Sequence, residues 1–235
     1  MSQKPSTLVW IKSNLLTIFY AIIIALLIRS FLFQPFFIPS SSMMPTLLVG
    51  DRIFASKYDY GYSRHSFPFS IPIIKGRIFS NSPERGDVVI FKPPHTNNDY
   101  IKRLIGLPGD KIQLINGLIY INSIPLKRNL VKNESEVIKT YTETMSNGVS
   151  YITRDLGDKP QDNTKEMTIP EKHYFFMGDN RDNSNDSRFW GPVAIERIVG
   201  KAQIIFFSTK NGSWFIEFWR WPFDIQFKRL LKFIR

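Results

Sequence analysis

IQLINGLIYI, residues 112–121, sets two apolar runs on either side of Asn116-Gly117. Asn and Gly tolerate the positive φ that a two-residue hairpin turn demands, so this pattern is the strongest short-range hairpin signal. The stretch predicts paired strands and turns the reading toward a β fold. Outward from it the pattern recurs. Asn147-Gly148 predicts a second hairpin with residues 141–144 and 149–153 as its arms. Upstream, Asp87-Val-Val-Ile-Phe91 is a short β-rich run opened by an Arg85-Gly86-Asp87 turn. Downstream, residues 174–177 and 198–207 complete the set, and loops rich in Gly, Pro, Asn and Asp, notably 155–164, separate them.

The N-terminus reads differently. Residues 13–28 (SNLLTIFYAIIIALLI) carry no charge, and extension to residues 8–33 adds only Lys12 and Arg29, both near the ends. About 20 residues of helix cross a bilayer, and long cationic side chains at the ends reach the headgroups. The run is apolar on every face, unlike a core helix, and no small-x-small pair closely follows it, unlike a cleaved leader. A retained anchor is expected, with Lys4 and Lys12 favouring a cytoplasmic N-terminus and the rest of the chain outside.

The 235 residues carry 31 Lys and Arg against 20 Asp and Glu, a net +11, and no cysteine. Disulfides, thiolate metal sites and a cysteine nucleophile are thereby excluded. Three scattered histidines, His65, His95 and His173, argue against structural zinc. From Arg197 onward eight cations face Glu217 and Asp224, among Trp214, Phe215, Phe218, Trp219, Trp221 and Phe223. Such interleaving suits single-stranded bases or a membrane interface. The anchor decides for the lipid bilayer, and no nucleic-acid partner is expected. At the end, Phe227, Leu230, Leu231 and Ile234 recur at helical spacing beside Lys228, Arg229, Lys232 and Arg235, which predicts a short basic amphipathic helix.

Three segments carry the chemistry. Residues 38–47 (IPSSSMMPTL) put serines directly after the anchor; residues 100–110 (YIKRLIGLPGD) put Lys102 in an apolar, strand-like setting; residues 178–188 (GDNRDNSNDSR) form a dense polar loop. Singly, each has a plainer reading: a polar linker, a strand lysine with its ammonium in water, a solvated turn. The polar loop also offers calcium-type oxygens but lacks EF-hand spacing. Together, in this order, they resemble the type I signal peptidase family, membrane serine proteases that remove signal peptides. The resemblance spans residues 34–202. It departs at Ser41, where many relatives carry Gly, and residues 58–83 match little; a hairpin dipping toward the membrane is expected there.

The resemblance implies Ser42 as nucleophile and Lys102 as general base. A serine hydroxyl needs a base, and a lysine serves only when burial makes its amine neutral near pH 7. It further implies an oxyanion hole of the Ser42 N–H and the Ser40 hydroxyl, Ser184 hydrogen-bonded to Lys102, and Asp186 with Arg188 as a bracing ion pair. Ile38, Met43, Leu47, Tyr100 and Ile101 match positions lining shallow apolar pockets for small side chains. No cofactor or metal is implied, and the partners are exported preproteins at a bacterial cytoplasmic membrane. The architecture expected is mostly β: an anchor (1–33), an antiparallel β catalytic core (34–112 and 168–210) with an inserted β cap (113–167), and a basic aromatic, amphipathic tail (211–235). The competing reading is a catalytically silent, membrane-tethered β module that binds partners.

Overall fold

The computed structural model describes residues 7–72, 74–210, 212 and 217–234. Trp214 and Phe215, expected at the membrane interface, lie outside the described residues. Helix α1, Thr7–Leu27, runs into a π-helical turn, Ile28–Leu32. Among the described residues this is the one helix, Lys12–Leu32, long and apolar enough to cross a membrane, and almost none of it is buried against the rest of the chain. An apolar helix covered by protein only at its foot fits lipid rather than a core.

The remainder is mostly β, in keeping with the Asn-Gly turns. The main antiparallel sheet takes β1 (Phe33–Phe37), β2 (Asp51–Ser56), β3 (Val88–Phe91) and β4 (Tyr100–Gly106) from the first half of the chain. Residues 111–168 intervene. There β5 (Lys111–Ile115) and β6 (Leu118–Ile121) form the first hairpin, pairing Ile115 with Leu118, with Asn116 at φ 49° and Gly117 at φ 74°. Positive φ at both positions is the primed turn that Asn-Gly favours. Next, β7 (Lys127–Asn133), β8 (Lys139–Thr144) and β9 (Ser150–Asp155) make a three-stranded sheet, its second turn at Asn147-Gly148. The chain then returns to the main sheet with β10 (His173–Met177), β11 (Val193–Ala194), the long β12 (Ile198–Ser208) and β13 (Lys232–Phe233). The spatial order is β1-β2-β12-β3-β4-β10-β11, with β13 on β12.

Apolar residues of β2, β3 and β12 bury a core of Ile53, Ala55, Val88, Ile90, Val199, Ala202 and Ile205, to which Ile38, Met43 and Leu47 belong. The tail departs from its expected form. A short helix stands at Trp221–Asp224, but residues 227–234 fold into a 3-10 turn, Phe227–Arg229, and then β13. Residues 58–83 do form a minimal hairpin, Tyr62–Ser63 against Arg77–Ile78, and the Tyr62 hydroxyl donates to the Phe31 carbonyl at 2.9 Å at the foot of the anchor helix.

Candidate active site

The first polar segment becomes a tight turn between β1 and β2. The Met44 amide donates to the Ser41 carbonyl at 3.1 Å and the Leu47 amide to the Met43 carbonyl at 2.9 Å. One helical turn apart, Met43 and Leu47 point the same way, into the core, where both are fully buried. They anchor the turn and do not line the cleft, contrary to their expected place in the substrate pockets. Ser40 and the buried Ser42 are left on the side away from that core, their hydroxyls 3.3 Å apart.

Lys102, the third residue of β4, lies on the strand face that meets this turn. Its Nζ donates to Ser42 Oγ at 2.6 Å, although 60 residues separate the two. The lysine is 4% exposed. Burial pushes its amine down to about 8, against the upward pull of Asp186 and Asp179, with Arg188 adding to the depression. A cleft of about 540 Å³ opens over the pair, walled by Phe36 to Ser40 on one side and Tyr100 to Lys102 on the other, with Ile90 at its base. Ile38, Tyr100 and Ile101 thus line this cleft. Strand β10 pairs with β4 only from Arg103 onward, so residues 100–102 have no strand neighbour on the cleft side.

The polar loop holds the serine turn from behind. Asn180 donates its amide to the Ser42 carbonyl at 3.1 Å and its Nδ2 to the Ser41 carbonyl at 3.0 Å. Asn183 Nδ2 donates to Ser41 Oγ at 2.7 Å, so the side chain that departs from the family pattern is itself a tether. Gly178 is needed for closeness: a Cβ there would fall 2.5 Å from the Ser42 carbonyl oxygen. Asp186 and Arg188 form the expected ion pair at 2.9 Å, and Asp186 also accepts from the Gly178 amide at 3.0 Å and caps the helix Ser187–Trp190. Ser184 differs from expectation. Its hydroxyl is buried beside Gly178 and makes no hydrogen bond to Lys102 or to any other described group.

Sequence reasoning missed a second buried pair. Arg103 points away from Lys102, as strand alternation requires. It is completely buried, donating to Asp179 at 2.8 and 2.7 Å and to the Gly86 carbonyl at 2.7 Å. Asp179 also accepts from the Thr46 hydroxyl at 2.5 Å, so this pair ties the serine turn, the lysine strand and the polar loop together. The available signal was a cation in an apolar strand that needs a buried partner. Among the described residues no group of His, Cys, Asp or Glu is placed to hold a metal ion; the loop's acids are taken by Arg103, Arg188 and the Leu156 amide.

The chain matches the family model "Signal peptidase, peptidase S26" over residues 10–207. Signal peptidase I of Rickettsia bellii (strain OSU 85-389) is 43% identical to it, over 90% of this chain and 81% of the relative. Signal peptidase I of Rickettsia massiliae (strain Mtu5) is 49% identical, over 83% of this chain and 79% of the relative. A crystal structure of a signal peptidase I from Enterococcus faecalis V583 shares 27% identity over 52% of this chain and 97% of that one, at a TM-score of 0.36, too slight an overlap to bear on the fold. With the family model covering most of the sequence and these relatives matched along most of their own length, the chain belongs to the signal peptidase family, peptidase S26, as a serine endopeptidase of the signal peptidase I type.

Proposed function

We propose that this protein is a membrane-anchored enzyme that removes signal peptides from exported preproteins through a Ser42–Lys102 dyad and an acyl-enzyme. The observation that carries the reading is the 2.6 Å contact between a buried lysine amine and a serine hydroxyl at the floor of a cleft. In the neutral form, Lys102 takes the Ser42 proton as Oγ attacks the scissile carbonyl. Lys102 then gives that proton to the departing amine, and a water, deprotonated by the same amine, releases the acyl group and restores Ser42. The Ser42 N–H and the Ser40 hydroxyl take the oxyanion. With Lys102 near 8, about one amine in ten is neutral at pH 7, and activity rises with pH until that amine has lost its proton.

An extended segment laid between residues 36–40 and 100–102 would place its backbone along exposed strand edges and its small side chains over Ile38, Tyr100 and Ile101. The anchor, N-terminus inward, would set this cleft at the outer membrane face, where precursors are held in the same bilayer. Ser184, Asp186 and Arg188 serve as support for the polar loop. Separate Ser42→Ala and Lys102→Ala variants, assayed on a model precursor in detergent, are expected to lose at least about a thousandfold in rate with unchanged circular dichroism. Cleavage at the normal rate by either would remove the dyad, and a wild type that leaves the precursor uncut would leave the binding-module reading.

A further inference from the structure

Away from the cleft, the least accounted-for feature is a basic pocket at the end of the apolar span. Two adjoining hollows of about 120 and 410 Å³ share His65, Ser70 and Lys92 as walls. Arg29, from the turn that ends the span, closes the first; Arg64 closes the second. The loop that bears His65 and Ser70 is fixed to the helix foot: Phe31 meets the rings of Tyr62 and Phe67 edge-on, and accepts from the Tyr62 hydroxyl through its carbonyl.

The charges do not cancel. Among the described residues neither Arg29 nor Arg64 forms an ion pair, and Arg64 is exposed. Lys92 shares Asp99 at 2.8 Å, while Lys57, buried behind the pocket, donates to the Ser66 carbonyl. Arg77 and Arg197 spend their guanidinium groups on backbone carbonyls, with Glu196 near the former. Burial first, then Arg64, Lys92, Arg197 and Arg77, push His65 down to about 4, so its ring is neutral at pH 7. Arg64 Nε donates to His65 Nε2 at 3.2 Å, which leaves the ring proton on Nδ1, donating to Ser70 Oγ at 2.9 Å. Ser70 accepts there, and its own proton is available to a further acceptor.

We infer that this pocket binds the phosphate of an anionic phospholipid headgroup, with Arg29 and Arg64 as charge partners and the Ser70 hydroxyl as donor. A phosphate accepts several such bonds at once, and guanidinium is its best match. A lipid is favoured over a free anion by what flanks the pocket. It opens where the span ends, and Ile71, Ile78 and Phe79 beyond it are exposed, Phe79 at 81%. Cations beside bare apolar side chains match the level at which headgroups meet acyl chains. The inference rests on the anchor and not on the dyad.

The test uses the full chain in detergent micelles doped with equal phosphatidylglycerol and phosphatidylcholine, with retained lipid counted by native mass spectrometry. Wild type is expected to keep phosphatidylglycerol over phosphatidylcholine by about tenfold. Arg29→Gln and Arg64→Glu should each lower that preference roughly fivefold. Lys127→Glu, an exposed charge on β7, should leave it unchanged, as should millimolar inorganic phosphate. Equal retention of both lipids by the wild type overturns the inference, and so does a preference that survives both arginine substitutions. Displacement of the lipid by millimolar phosphate also overturns it, by making the site one for a free anion.

Discussion

A lysine amine held near 8 is a burden on the fold as well as a tool. The unfolded chain holds that proton up to about 10.5 and the folded one releases it near 8. The folded state therefore binds fewer protons between these values, and the group adds stability as pH rises through that window; below 8 its full penalty remains. Lys102→Met is accordingly expected to raise unfolding free energy at pH 7 by up to about 3 kcal/mol. That gain should shrink in urea melts repeated above pH 8, and a variant less stable than wild type at pH 7 would contradict the burial argument. At this scale the sequence was legible where a side chain has a distinctive duty. Ser42 and Lys102, the proposed nucleophile and base, stood out only through the resemblance, whose three segments occur here in the family's order. Asn180, Asn183 and Asp179 did not, since in a loop of alternating Asp and Asn nothing local tells a tether from a solvated turn. Met43 and Leu47 were misplaced because an apolar side chain beside a nucleophile suits a pocket wall and a core equally well.

Strands were more legible than the tail. Two Asn-Gly turns set the hairpins to within a residue or two, because positive φ is a local demand that few residues meet. The tail's helical spacing was real but local, and so short a helix gains little by itself. Tertiary bonds prevail there. Leu231 takes φ 57°, Lys232 pairs with Ile205, and Ile234 packs on the core. Arg229 reaches Asp51, donating to Oδ1 at 2.9 Å, and also donates to the Thr46 carbonyl at 3.1 Å in the serine turn. Asp51 is fully buried. Arg229→Ala should cost about 3 kcal/mol, near the low end for breaking a buried pair because Asp51 keeps the Leu48 amide and the Ser208 hydroxyl. Chemical denaturation measures this directly; a change below about 0.5 kcal/mol would mean the tail merely rests on the sheet.

For the molecule as a whole, the proposed function makes the anchor and the cleft act as one device. Enzyme and precursor in one bilayer meet at a raised effective concentration, worth on the order of a hundredfold. Deleting residues 1–27 should therefore slow cleavage of a vesicle-embedded precursor by about that factor and leave a short soluble peptide cleaved within about threefold of the intact chain's rate. Equal losses on both substrates would assign the helix to the fold rather than to the encounter. The division between an apolar N-terminus and a β remainder was plain from composition. The way the intervening sheets close on residues 178–188 was not, because it depends on pairs such as Arg103–Asp179 and Arg181–Glu143 whose members lie far apart in the chain.

The most direct test is the proton equilibrium of Lys102 itself. With 15N-labelled lysine in the full chain, and Lys102→Met to assign the signal, the Nζ resonance should titrate near pH 8. A midpoint at or above about 10, the value of a lysine in water, in protein that still cleaves its precursor would contradict the mechanism.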